Sequence, residues 1–295
     1  MRITNRMLSN NAIRNINRNL ENMARAQEQM SSGKRVNRPS DDPIVVARIL
    51  AFKTSIAAND QYQKNMEDAK GWVDASEGAL GMATDVLQRA RELAVYGANG
   101  TMPDTSMKAL AAEVNQLIDE MVQIANTSYG GRYLFGGSNT TTPPFSHTGD
   151  TINPNYNTQD LEWEIAPQVT ITVNKNGGEV FQQGDNDIFQ LLKELRDDLD
   201  GGKNTDVSNL LGRFDQAIDH ILDIRASLGA MSNRLEMSLS RLSDTQISLT
   251  QTMSKLEDVD LAKATIEYKN YENVYLASLA TSAKALQPSL IDYLR

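Results

Sequence analysis

Leu210, Phe214, Ala217, Ile221, Ile224, Leu228, Met231, Leu235, Ser238, Leu242, Thr245, Leu249, Thr252 and Leu256 follow one another at alternating intervals of four and three residues. That is a heptad pattern sustained without a proline over ~46 residues, roughly 70 Å of helix at about 1.5 Å per residue. One helix cannot cover so long an apolar seam by itself, so a second long helix has to lie along it. Beyond Leu235, the small hydroxyls Ser238, Thr245 and Thr252 replace one set of bulky positions. Small residues suit close packing in a bundle but specify the pairing less firmly.

Toward the start of the chain lie a partner for this helix, expected in residues 44–128, and a first helix expected to pair with the last. Ile13, Ile16, Leu20, Met23, Gln27 and Met30 keep three–four spacing in a segment crowded with asparagine, a poor helix former. A helix with so narrow an apolar face is marginal alone and needs a partner. Gly33 is placed to cap its end. Arg38-Pro39-Ser40-Asp41-Asp42-Pro43 then forbids a continuous helix; Ser40 and the aspartates suit turns and caps, and Pro43 suits a first helical position. From Ile44 a helix of about fifty residues carries Ile49, Phe52, Ile56, Leu80, Leu87 and Ala94. After a turn at Gly97–Pro103, with Asp104 or Thr105 as cap, Leu110, Val114, Leu117, Met121 and Ile124 form another.

Between 131 and 187 the period falls to two. Leu161, Trp163 and Ile165 alternate with glutamates, Val169, Ile171 and Val173 with threonines, and Asn176-Gly177 reads as a hairpin turn with Val180 and Phe181 on the return strand. One face of this β segment should be solvated. Helix resumes at Ile188, and after Leu256 the chain stays helical while apolar residues spread over more than one face. Such a terminus packs against another chain or a keeper protein. The expected fold is therefore mainly α with a β insert: N- and C-terminal segments form a long antiparallel coiled coil or bundle, and a small β-rich region lies in the middle.

Composition narrows the function. The 295 residues carry a net charge of −9, which argues against nucleic acid or an anionic membrane as partner. No apolar run is long enough to span a membrane, and a cleavable secretory signal is not expected. There is no cysteine, so there is no disulfide framework and no thiolate chemistry. The only histidines, His147 and His220, lack the spacing of a helical zinc pair. A serine hydrolase on the insert would have to use His147, and no Gly-x-Ser-x-Gly precedes it. Asp197, Asp198 and Asp200 lack EF-hand spacing. A non-enzymatic protein with no metal and no cofactor is expected.

Several corners of this plan resemble the bacterial flagellin family: the opening Met1-Arg2-Ile3-Thr4-Asn5, the turn Arg35–Pro43, the stretch Tyr129-Gly130-Gly131-Arg132-Tyr133-Leu134-Phe135-Gly136-Gly137, and the spacing of the tail from Tyr271 through Leu279 and Ala283 to Arg295. Pro39, Pro43 and the short insert resemble the members that form the junction between hook and filament. The main filament subunit, flagellin, is the alternative. The resemblance implies a structural subunit with an inner tube domain (1–43 and 256–295), a long-helix domain (44–130 and 188–255) and an outer β domain (131–187). It implies unfolded export through the flagellar type III apparatus and a place in the extracellular flagellum. The implied partners are neighbouring copies, another hook-associated protein, flagellin and a cytoplasmic export chaperone. Assembly is expected through Ile13, Ile16, Leu20 and Met23 against Ile266, Leu279 and Leu286. The turn Arg38, Pro39, Ser40, Asp41, Asp42 and Pro43 is expected to act as a strut, and Tyr271, Tyr275, Leu276 and Leu279 to meet the chaperone.

Overall fold

The structure, a computed structural model, describes residues 5–100, 102–148, 151–184 and 186–285. Its helical frame is α1 (Asn5–Ser32), α2 (Pro43–Gly97), α3 (Asp104–Ala125), the one-turn α4 (Gly177–Phe181), α5 (Ile188–Asp200), α6 (Asn204–Glu257) and α7 (Leu261–Ala285). Between α3 and α5 lie eight short strands: β1 (Ser128–Tyr129), β2 (Arg132–Tyr133), β3 (Phe145–Thr148), β4 (Thr151–Pro154), β5 (Glu162–Ala166), β6 (Val169–Thr172), β7 (Gln182–Gln183) and β8 (Asn186–Asp187). The chain divides into two compact units, residues 1–58 with 245–295, and residues 59–244.

In the second unit α2 and α6 are antiparallel. Arg91 binds Asp215 at 2.6 Å, Glu77 binds Arg225 at 2.7 Å, Asp74 accepts from Ser232 at 2.8 Å, and the Asn59 amide donates to Leu242 O at 3.0 Å, so the partners climb α6 as they descend α2. The heptad positions from Leu210 to Leu235 are buried except Met231, which is half-covered. Past Leu242 the covered stripe rotates: Thr245 and Thr252 are exposed, while Gln246 and Met253 are half-covered. A straight helix drifts about 20° per heptad, so a strict seven-residue repeat leaves the interface unless the helix supercoils.

The β segment does not form a single sheet with one wet face. It is four separate antiparallel hairpins, and its apolar side chains join the same core as the helices. Four of the six phenylalanines are gathered in one place: Phe181 lies 5.2 Å from Phe135, 5.7 Å from Phe145 and 5.7 Å from Phe189 between ring centroids. Such pairs add about 0.5–1.5 kcal/mol beyond burial.

Two local expectations are corrected. Asn176-Gly177 is not a hairpin turn: the Asn176 side chain accepts from Glu179 N at 2.9 Å and caps α4. The Asn-x-x-Glu spacing there is a helix-start signal that competes with Asn-Gly. Neither Asp104 nor Thr105 caps α3; Pro103 holds that position, and Asp104 stands in the first turn, where its charge suits the helix dipole. Gly130 (φ 57°) and Gly131 (φ 78°) do form the two-residue turn between β1 and β2.

Candidate functional site

The first unit contains the residues the sequence singles out for assembly. α1 packs along α7. The positions of α1 that lose solvent include Ala12, Ile16, Asn19, Met23, Ala26 and Met30, at four–three spacing; on α7 they include Ala264, Tyr268, Tyr271, Tyr275, Ser278 and Ser282. Of these only Ala26 and Ala264 are fully buried. The larger Ile16, Met23, Met30 and the three tyrosines are only partly covered, so the pair encloses little apolar area completely.

The seam expected from sequence is thereby redrawn. Ile16 and Met23 take part in the pairing. Ile13 and Leu20 lie about 40–60° round the helix from Ile16 at 100° per residue, and they are 52% and 43% exposed. On α7, Ile266 points away from the covered stripe and is 63% exposed, and Leu276 and Leu279 are exposed as well. Leu286 lies outside the described residues. The covered stripe mixes Ala12, Ile16, Met23, Ala26 and Met30 with Ala264 and three tyrosines, while Ile13, Leu20 and Ile266 sit on its flanks.

The turn 33–43 is tied down on several sides. Gly33, at φ 70°, ends α1 with its N–H on Gln29 O. Asp41 Oδ2 accepts from Arg38 N at 2.9 Å and Asn37 N at 3.3 Å. Asp42 Oδ1 accepts from Ile44 N and Val45 N and caps α2, which begins at Pro43. The Arg38 guanidinium reaches Glu28 at 3.2 Å, while Pro39 and Ser40 face solvent.

The sequence reading missed what lies beside this turn. The chain is not continuously helical past Leu256: α6 ends at Glu257, and Asp260 Oδ1 accepts from Ala262 N and Lys263 N to start α7 afresh. This break pairs with the first one. Arg35 N donates to Glu257 O at 2.7 Å, Val259 N donates to Gly33 O at 3.0 Å, and Lys34 and Asp258 form an antiparallel bridge. At the corner Glu257, only 6% exposed, accepts from Lys34 Nζ at 2.6 Å and Lys53 Nζ at 2.9 Å. The hydrogen bond from Lys34, then that from Lys53, holds the Glu257 carboxyl below the usual carboxylate range and outweighs the cost of burying it. Glu257 raises the Lys34 ammonium in return. The signal available was Asp258-Val259-Asp260, a cap residue set before an apolar run.

The histidines have local duties. His147 Nδ1 lies 3.1 Å from Asp119, and His220 Nε2 lies 2.8 Å from Glu179 O. Among the described residues no group of three His, Asp or Glu could hold a metal, and no helix is long and apolar enough to cross a membrane.

Two helical end regions, joined through paired breaks and bearing uncovered apolar flanks, are what a polymer-forming helical subunit presents. The bacterial flagellin N-terminal helical region matches residues 3–140, and the bacterial flagellin C-terminal helical region matches residues 211–294. The chain belongs to the bacterial flagellin family. It is 30% identical to flagellar hook-associated protein 3 of Escherichia coli (strain K12), over 88% of this chain and 89% of that protein. It is also 30% identical to a flagellin of Halalkalibacterium halodurans, over 97% of this chain and 96% of that one. The fold is shared with flagellar hook associated protein-3 of Legionella pneumophila (TM-score 0.65, 18% identity, 70% of this chain and 98% of that one). It is shared too with Bacillus cereus FlgL (TM-score 0.60, 24% identity, 69% and 99%).

Proposed function

We infer that this chain is a structural subunit of the bacterial flagellum, placed at the junction between hook and filament. The observation that carries the assembly mechanism is the exposure of Ile13, Leu20, Ile266 and Leu279 on helices that already pair with each other. Apolar residues on both flanks of a helix pair are covered when sister copies pack alongside. Such contacts are heterologous, and where their rotation does not close they continue a helical lattice. Residues 1–43 and 256–295 act as the tube-forming part, 44–130 with 188–255 as the long-helix part, and 131–187 as the outer part. The Arg38–Pro43 turn serves as the strut, since its prolines and its carboxylate–amide bonds limit bending. Export proceeds unfolded through the flagellar type III apparatus to the cell exterior. Before export, a cytoplasmic chaperone covers Tyr271, Tyr275, Leu276 and Leu279, the apolar part of α7. Flagellin and another hook-associated protein are the neighbours on either side.

The second reading, the main filament subunit, is favoured by the flagellin relative, which matches over nearly the whole chain. Deleting the gene separates the two. Loss of a junction subunit leaves flagellin made but shed into the medium, whereas loss of the filament subunit leaves none to shed. For the assembly mechanism, removal of residues 1–30 or 266–295 should abolish incorporation. A truncated chain that still assembles refutes it.

A further inference from the structure

The chain has no cysteine, so methionine supplies all of its sulfur, and the fold sorts the methionines by access to solvent. Met66, Met107 and Met121 are closed off, each at most 1% exposed, whereas Met7, Met82 and Met237 are 52%, 49% and 68% exposed. Thioether oxidation follows access, so the open sulfurs are the reactive ones. Their surroundings then tell them apart.

Met237 stands on α6 beside a groove between that helix and the hairpin of β5 and β6. Ile165 and Val169 of the hairpin and the buried Met66 of α2 line the same groove. So does Arg234, three residues before Met237 and therefore on the same side of the helix. Arg234 is exposed, and among the described residues its guanidinium has neither an ion pair nor a hydrogen bond. Arg241, which has an interaction of its own within the chain, lies one turn beyond Met237. Met82 supplies an internal contrast. It is open on α2, and the one charged residue within a turn of it along that helix is an anion, Asp85.

We propose that Met237 is a site of oxidation by hydrogen peroxide, favoured over Met82 by the Arg234 guanidinium. A lone pair of the Met237 sulfur attacks one peroxide oxygen, and the O–O bond breaks. The sulfur loses two electrons, and the departing hydroxide takes the proton of the transferred oxygen and leaves as water. Negative charge builds on the departing oxygen, where a neighbouring guanidinium stabilises it. The product sulfoxide is polar, and its oxygen accepts from Arg234 far better than the thioether does. Oxidation thus turns the apolar rim of the groove polar, and a methionine sulfoxide reductase reverses it.

Purified full-length chain is treated with dilute hydrogen peroxide, folded and in urea, and tryptic peptides are followed by mass spectrometry. Met66, Met82 and Met237 fall in separate peptides. In the folded chain Met237 should convert about two- to fivefold faster than Met82, the range that an exposed charge contact supplies. Met66 should convert at least about tenfold more slowly than either, since it reacts only on local opening. In urea the three rates should converge. Raised salt should shrink the lead of Met237 in the folded chain. Arg234→Gln should bring Met237 down to the rate of Met82 and leave Met82 unchanged, and continued protection of Met66 shows that the variant is folded. Arg234→Lys should keep most of the lead. A Met237 no faster than Met82 in the folded wild-type chain overturns the proposal. So does a lead that survives Arg234→Gln with Met66 still protected, or one indifferent to salt.

Discussion

The two units are built from helices of similar kind but place their apolar residues differently. In residues 59–244 the large side chains point inward: Leu80, Leu87, Leu93, Met107, Met121 and Phe214 are fully buried, and the hairpins close over the same core with Phe135, Phe145 and Phe181. In the terminal unit the contact between α1 and α7 is centred on Ala26 and Ala264, while Ile13, Leu20, Ile266, Val274 and Leu276 face outward. Only these two alanines are fully buried between α1 and α7 and the larger residues of the stripe stay half-covered, so the terminal pair removes less apolar area from water per residue ordered. A subunit whose last stabilising contacts come from its neighbours is arranged in this way.

The sharpest way to break that comparison is to truncate one residue of each kind. Phe181→Ala removes a ring that touches three others and should cost about 3–5 kcal/mol in denaturant unfolding. Leu279→Ala should change the stability of the lone chain by no more than about 0.5 kcal/mol, yet reduce incorporation into the polymer. Equal losses for the two in the isolated chain would erase the distinction.

Glu257→Gln probes the corner where the two helix breaks meet and should cost about 1 kcal/mol. Its pH dependence has a definite sign. The carboxyl is lowered by folding, so its contribution is complete above the ordinary carboxylate value of about 4.3 and is lost as pH falls through the lowered folded value. The wild-type chain should therefore lose stability in acid more steeply than the variant, as read by melting temperature against pH.

A similar loss, about 1 kcal/mol, is expected for Asn176→Ala, which removes the α4 cap. It should appear in the second unit alone, as faster amide exchange around Glu179. The smallest change is a gain. Gln168, at φ 62°, is a non-glycine residue in the left-handed region, in the turn between β5 and β6. Gln168→Gly should add up to about 1 kcal/mol, seen as a raised denaturation midpoint.

Much of the helical frame was legible because long helices repeat their signal. The seam from Leu210 to Leu235, the stop at Gly33 and the restart at Pro43 all follow from spacing, glycine and proline. Short elements were less legible, since five residues span little more than one helical turn and cannot repeat the signal. The Asn176 cap and the isolated hairpins show tertiary context deciding between two local options that the sequence leaves close in energy. The candidate site was legible in outline only. Periodicity marks a helix face but not which of two adjacent stripes is covered, so Ile13 and Leu20 were grouped with Ile16 and Met23. Glu257 could not be found by spacing at all. Its partners Lys34 and Lys53 are distant in the chain, and only the pairing of the two helix breaks brings them together.

Both tryptophans of the protein, Trp72 and Trp163, lie within residues 59–244, with ring centroids 6.0 Å apart and the Arg132 guanidinium 5.4 Å from the Trp72 ring. The Trp72 ring nitrogen is buried without a hydrogen-bond partner among the described residues, a dry setting that shifts indole emission to the blue. The described aromatic residues of α7 are tyrosines, Tyr268, Tyr271 and Tyr275. Light absorbed by indole alone therefore reports on one body and is blind to the other. Indole fluorescence can thus follow the melting of residues 59–244 separately from that of the terminal unit.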